Sequence, residues 1–200
     1  MNIVFDFGGV VFRWHPASFL ARVWPHRVAD AAQGTAVAAQ FFENYGGDWG
    51  AFDQGLIDAD TVIARISART GWPHADVALV VAAVPDELQL QADTAALIAE
   101  LKQAGHRLFY LSNMPEPYAD YLERSYPLAQ WFEAGVFSGR VKHSKPGAEI
   151  FAIASECFGL APEECVFLDD HPANIEAARG LGWQALLFTT AAEAKRELMR

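Results

Sequence analysis

Apolar residues in this chain fall into two textures. Short runs rich in β-branched and aromatic residues, each bounded by turn or acidic residues, occupy 2–5 (NIVF), 106–111 (HRLFYL), 135–138 (GVFS), 164–168 (ECVFL) and 184–188 (QALLF). Their length and composition predict buried strands. Between them, apolar residues recur at helical spacing. In 93–105 the positions Ala95, Leu97, Ile98, Leu101 and Ala104 form one face, and Gly105 supplies the stop. Residues 118–125, 146–158, 174–181 and 191–199 read the same way, with Pro146 at a helix start where its missing N–H costs little. Strands alternating with helices predict an α/β core whose mostly parallel sheet is covered on both faces.

One stretch departs from this rhythm. From Pro16 to about Glu87, alanine and large apolar residues keep a helical period, as in 29–42 and 59–70, and no period-two strand shows. Asp58 or Asp60 is placed to cap the second of these helices, and Gly71 with Pro73 to end it. Residues 44–55 (NYGGDWGAFDQG) read as a glycine-rich loop carrying two exposed aromatics, Trp49 and Phe52. The expected organisation is a core of residues 1–15 and 88–200 interrupted by a helical insertion, 16–87.

Composition narrows the function classes. A chain of 200 residues that is 52% hydrophobic and 20% charged suits one well-buried core with a modest insertion. Its formal net charge of −10 argues against a nucleic-acid partner, whose phosphates call for a basic surface. No apolar run reaches the roughly 18 residues of a membrane span. The N-terminus enters the first strand directly, without a basic region, so no leader and a cytoplasmic location are expected. Cys157 and Cys165 match no metal or redox spacing and are expected as buried thiols. The 14 Phe and 6 Trp leave room for an apolar homodimer patch.

Candidate chemistry lies at the strand ends. Asp6 follows the first strand and precedes Gly8 and Gly9; Ser112-Asn113 and Asp169-Asp170 end two others; Lys145 precedes a helix. Each has a plainer reading, as a turn, a helix cap or a surface lysine. In a parallel sheet, however, these ends share one edge, the place where α/β folds bind ligands. Two like charges 4 Å apart cost about 4 kcal/mol at an effective dielectric near 20. Three gathered carboxylates therefore call for a hard dication such as Mg²⁺, which prefers oxygen ligands. Lys145 and Ser112 suit phosphate oxygens, and Asp6 suits attack on phosphorus to give an aspartyl-phosphate that water releases.

Taken in order, Asp6-Phe-Gly-Gly-Val10, Leu111-Ser-Asn113, Lys145-Pro146 and Asp169-Asp170-x-x-x-Asn174 resemble the four motifs of the haloacid dehalogenase (HAD) superfamily. The helical insertion after the first motif resembles the cap of its subfamily I. The resemblance implies a Rossmann-like core, a mobile cap and Mg²⁺-dependent phosphatase activity. It makes Asp6 the nucleophile, and Ser112, Asn113 and Lys145 the phosphate-binding set. It makes Asp170 a direct metal ligand, with Asp169 reaching the metal through water and Gly8 contributing its carbonyl. Asn174 stands where the family often has a further acid.

Gly8 is the departure, since phosphatases of the family mostly carry a second Asp there as general acid and base. Its absence implies a slower enzyme or one selective for good leaving groups. His171 and His15 are candidate substitutes. Trp14, Trp49 and Phe52 are candidate pocket walls, and Tyr118, Asp120 and Arg124 candidate substrate contacts. The expected function is a Mg²⁺-dependent phosphomonoesterase acting on a small phosphorylated metabolite, sugar phosphates included. The alternatives are a 2-haloacid dehalogenase, which the Asp169-Asp170 pair argues against, and a weakly catalytic or purely binding HAD fold.

Overall fold

The computed structural model describes residues 1–199. Five strands, β1 (Asn2–Phe5), β2 (Arg107–Ser112), β3 (Ala134–Phe137), β4 (Cys165–Asp169) and β5 (Gln184–Leu187), form one parallel sheet in the order β3-β2-β1-β4-β5. The period-two alternation of each strand divides its side chains between two apolar layers. Ile3, Phe5, Leu108, Tyr110, Val166 and Leu168 point to one, and Val4, Phe109, Leu111, Cys165 and Phe167 to the other. β1 is central, and Ile3, Val4 and Phe5 are all fully buried.

Between β1 and β2 come α1 (Pro16–Val23), α2 (Ala31–Phe42), α3 (Gly47–Asp53), α4 (Ala59–Thr70), α5 (His74–Glu87) and α6 (Ala92–Gln103). The rest are α7 (Glu116–Ser125), α8 (Leu128–Trp131), α9 (Ser138–Val141), α10 (Ala148–Phe158), α11 (Pro172–Gly180) and α12 (Ala191–Leu198). Helices α10 and α11 cover the second layer through Ile150, Phe151, Ile175 and Ala178. The first layer is covered by α6, α7 and α12 and is continuous with the interior of α1–α5, so sheet and helical segment share one apolar cluster. Asp58 caps α4 by accepting from the Thr61 N–H at 2.8 Å, and Gly71, at φ +72°, closes it.

Two expectations are corrected here. Residues 47–53 are helical rather than loop, and Trp49 and Phe52 are buried, at 2% and 1% exposure. The glycines masked an i, i+3 aromatic pair that turns one face inward. Trp49 meets Phe42 edge-on at 4.7 Å, and Phe52 meets Tyr118 edge-on at 5.6 Å. Cys157 is exposed and only Cys165 is buried, because Cys157 falls on the outer face of α10. All fourteen Phe are buried.

The helical segment is joined to the sheet by two crossings that are tied together. Arg13 N–H donates to the Gln89 carbonyl at 2.8 Å, and Gln91 N–H to the Val11 carbonyl at 2.9 Å. Beside them Glu87, 1% exposed, is gripped by Arg13 at 3.0 Å and Arg22 at 2.6 Å.

Candidate active site

Asp6 lies one residue beyond β1, held by its N–H donating to the Leu168 carbonyl at 2.9 Å. Asp169 ends β4 and Ser112 ends β2. Parallel pairing brings these ends to one edge, and Lys145 reaches it from the turn before α10. The Lys145 Nζ sits 2.8 Å from Asp6 Oδ1 and 2.6 Å from Asp169 Oδ2. Asp169 also accepts from the His171 N–H at 2.7 Å and from Asn174 Nδ2 at 3.0 Å. Ligand oxygens of Asp6, Asp169 and Asp170 all lie within 4.8 Å of one another.

The charge balance is lopsided. One buried ammonium faces three carboxylates. Burial pushes the Asp6 carboxyl up, the Lys145 charge pulls it back, Asp169 and Asp170 push it up again, and it comes to about 7. Burial works against the Lys145 charge, but Asp169 and Asp6 more than offset it and hold its pKa above the ordinary lysine value. This donor set, all oxygen and short of positive charge, fits a hard divalent cation.

Gly9 shapes the edge. It adopts φ +77°, and a Cβ there would stand 2.4 Å from Asp170 Oδ2. Only glycine allows both the turn and so close an acid. Gly8 is different: a Cβ there would meet Trp14 at 3.5 Å, ordinary contact.

The other expected residues sort as follows. Ser112 is 1% exposed, and its Oγ has no hydrogen-bond partner among the described residues. Asn113 does not offer its amide freely: Nδ2 donates to the Lys145 carbonyl and Oδ1 accepts from the Lys145 N–H, both at 2.9 Å. It borders the cavity, but its amide clamps the lysine backbone. Asn174 likewise serves Asp169. Trp14, Trp49, Tyr118 and His171 line the cavity, whereas His15, Phe52, Asp120 and Arg124 do not. His15 begins α1, and Asp120 pairs with Arg140 at 2.8 Å.

The cavity measures ≈ 180 Å³ and is lined in part by Asp6, Gly8, Lys145 and Asp170. Its remaining wall is largely apolar, from Trp14, Trp49, Val84, Leu88, Met114 and Tyr118. Three polar lining residues escaped the sequence reading: Asn44, Tyr45 and Asp53. Asn44 and Tyr45 belong to a 3₁₀ turn in which Glu43, Asn44 and Tyr45 have φ of 46°, 51° and 65°. Asp53 was legible only as the i+4 neighbour of Trp49 on a helix hidden by glycines.

The model for haloacid dehalogenase-like hydrolases matches residues 1–182. The chain belongs to this family. It is therefore an enzyme of the hydrolase class, with an α/β HAD fold. Among solved structures, the HAD family enzyme bt-2542 of Bacteroides thetaiotaomicron, in complex with magnesium and inorganic phosphate, aligns over 100% of this chain and 98% of its own. Its TM-score is 0.76 at 22% identity. A predicted HAD-like family hydrolase from Porphyromonas gingivalis aligns over 100% and 97%, with TM-score 0.72 and 27% identity. Among curated proteins, the sesquiterpene phosphatase astK of Aspergillus oryzae is 24% identical over 98% of this chain and 93% of its own length. The fructose-1-phosphate phosphatase YqaB of Escherichia coli is 36% identical over 30% of this chain and 31% of its own length.

Proposed function

We propose that this HAD hydrolase is a Mg²⁺-dependent phosphomonoesterase acting on a small phosphorylated metabolite, with residues 16–87 serving as the cap over its site. The observation that carries the reading is the buried Lys145 bridging Asp6 and Asp169 beside Asp170, at the sheet edge and inside the cavity. On this reading Asp6 is the nucleophile, Lys145 the phosphate-binding cation and Asp170 the metal-binding carboxylate, gathered around one point. Curated relatives named as phosphatases support the same chemistry.

In this mechanism Asp6 attacks phosphorus in line with the departing alcohol, forming an acyl phosphate and breaking the ester P–O bond. The Lys145 ammonium holds a phosphate oxygen while orienting Asp6, and Asn113 keeps the lysine backbone in place. The orphan Ser112 hydroxyl gains a phosphate oxygen as its partner. Water then attacks the phosphoaspartate and frees inorganic phosphate. A Mg²⁺ ion held by Asp6, Asp170 and the Gly8 carbonyl, with Asp169 behind, would supply the positive charge that lets two anionic partners approach. Gly8 transfers no proton, so turnover favours alcohols that leave without strong acid assistance.

The cavity volume bears on the substrate. Pockets for drug-sized ligands run to about 300–1,000 Å³. A void of ≈ 180 Å³ suits phosphate on a compact alcohol, sugar phosphates included, better than a long hydrocarbon. The test is phosphate release from a panel of phosphomonoesters with Mg²⁺. Release should stop on chelation, and Asp6→Asn should lower it at least about 10³-fold while the melting temperature is retained. Undiminished turnover by Asp6→Asn overturns the covalent route.

A further inference from the structure

Resting on that reading, the structure also points to what the leaving group carries. Asp53 ends α3 and lines the cavity together with Asp6 and Lys145. It is 6% exposed, and its carboxyl has no hydrogen-bond or ion partner among the described residues. Only its backbone carbonyl is engaged, accepting from Ser138 Oγ. Around it stand aromatic and apolar groups. Tyr118 feels the Asp53 charge but spends its own hydroxyl on the Val81 carbonyl at 2.8 Å. Tyr45 lies in the shared field of Asp170, Asp53 and Asp6, with its hydroxyl accepting from Trp14 Nε1 at 3.1 Å. A buried polar group without a partner is costly and rare. Here it lines the cavity that also holds Asp6 and Lys145.

We propose that Asp53 is the specificity residue of the site, hydrogen-bonding a hydroxyl of the leaving alcohol and so selecting phosphate esters of compact, neutral polyols. Burial without a counter-charge pushes the Asp53 carboxyl up to about 8, so near neutral pH it both donates and accepts, as a hydroxyl partner must. Beyond Lys145, the cavity wall holds no Lys or Arg among the described residues. A second anionic group on the leaving alcohol would stand unpaired in an apolar wall. A purely hydrocarbon alcohol would leave Asp53 without its partner, and sites built to hydrogen-bond a substrate group reject analogues that lack it.

The experiment compares kcat/KM with Mg²⁺ for three esters of similar size, glycerol 3-phosphate, butyl phosphate and phosphoglycolate, with acetyl phosphate as a substrate too short to need Asp53. The wild-type chain should favour glycerol 3-phosphate over each of the other two esters by about tenfold or more, the worth of one hydrogen bond. Asp53→Leu should erase its advantage over butyl phosphate and lower turnover of glycerol 3-phosphate more than that of acetyl phosphate. Asp53→Asn, which still donates and accepts, should keep part of that advantage. Equal loss on all substrates, or an unchanged preference in Asp53→Leu, overturns the assignment and leaves the phosphatase reading standing. No turnover of any ester or of acetyl phosphate by the wild-type chain overturns the phosphatase reading itself.

Discussion

At the scale of single residues, the adjacent glycines have opposite tolerances. Gly9→Ala forces a side chain into left-handed backbone, costing about 1–2 kcal/mol, and drives its Cβ against Asp170. We expect Mg²⁺ affinity, read by titration calorimetry, to weaken at least about tenfold. At Gly8 a Cβ meets its nearest neighbour, Trp14, at the ordinary distance of 3.5 Å, so Gly8→Asp starts from tolerated backbone. It restores a proton-transfer group where general acid–base catalysis contributes about 10²–10⁴-fold. Its kcat on alkyl phosphates should rise at least about tenfold; a tenfold fall means the site already has its own proton route.

Asp53 allows a pH argument of definite sign. Its folded pKa of about 8 lies above its ordinary 3.8, so the folded state keeps the proton that the unfolded chain gives up. Stability is thus highest below the unfolded value and falls as pH rises toward 8. At 1.36 kcal/mol per unit, the loss by pH 7 is of the order of 4 kcal/mol. Asp53→Asn should therefore raise the urea midpoint at pH 7 and leave it nearly unchanged at pH 3.5. A residue that costs stability inside a cavity is a residue retained for what enters it.

At the scale of elements, the two crossings between sheet and helical segment are fastened by Glu87. Arg13 and Arg22 are half exposed, so they remain hydrated when their partner is removed. Glu87→Gln should cost about 1–3 kcal/mol and loosen the crossings. With the segment acting as the proposed cap, whose closing would assemble the site, kcat and KM should both change by several-fold, read in steady-state kinetics. This scale also shows what the sequence could and could not disclose. Strand ends were legible because burial on both faces writes them as apolar runs that stop abruptly at Asp6, Ser112 and Asp169. Parallel pairing then brings those residues to one edge without further information. Helix α3 was illegible because Gly46, Gly47 and Gly50 signal a loop, while the aromatic packing of Trp49 and Phe52 overrides that local preference. Asp53 was lost with it. The role of Asn113 was hidden because its partner, the Lys145 backbone, lies 32 positions along the chain.

At the scale of the whole molecule, a single apolar cluster runs from the sheet through the helical segment. Unfolding should therefore be one cooperative transition, with tryptophan fluorescence, three of whose six indoles (Trp24, Trp49 and Trp72) lie in the helical segment, and far-UV circular dichroism coinciding. The excess of carboxylates at the sheet edge adds a second expectation. Mg²⁺ at a hundredfold excess over its dissociation constant should stabilise the fold by about 2.7 kcal/mol, seen as a higher melting temperature that EDTA reverses. Coincident curves unmoved by Mg²⁺ would contradict metal binding.

The burial of Lys145 has a further, practical consequence. The chain has only four lysines, at 102, 142, 145 and 195, and Lys145 alone is sealed from solvent. With residues 16–87 acting as the proposed cap, an acylating reagent such as acetic anhydride should reach it only when that cap opens. The rate at which mass spectrometry finds that one amine modified thus becomes a clock for breathing of the enzyme, and phosphate analogues should slow it.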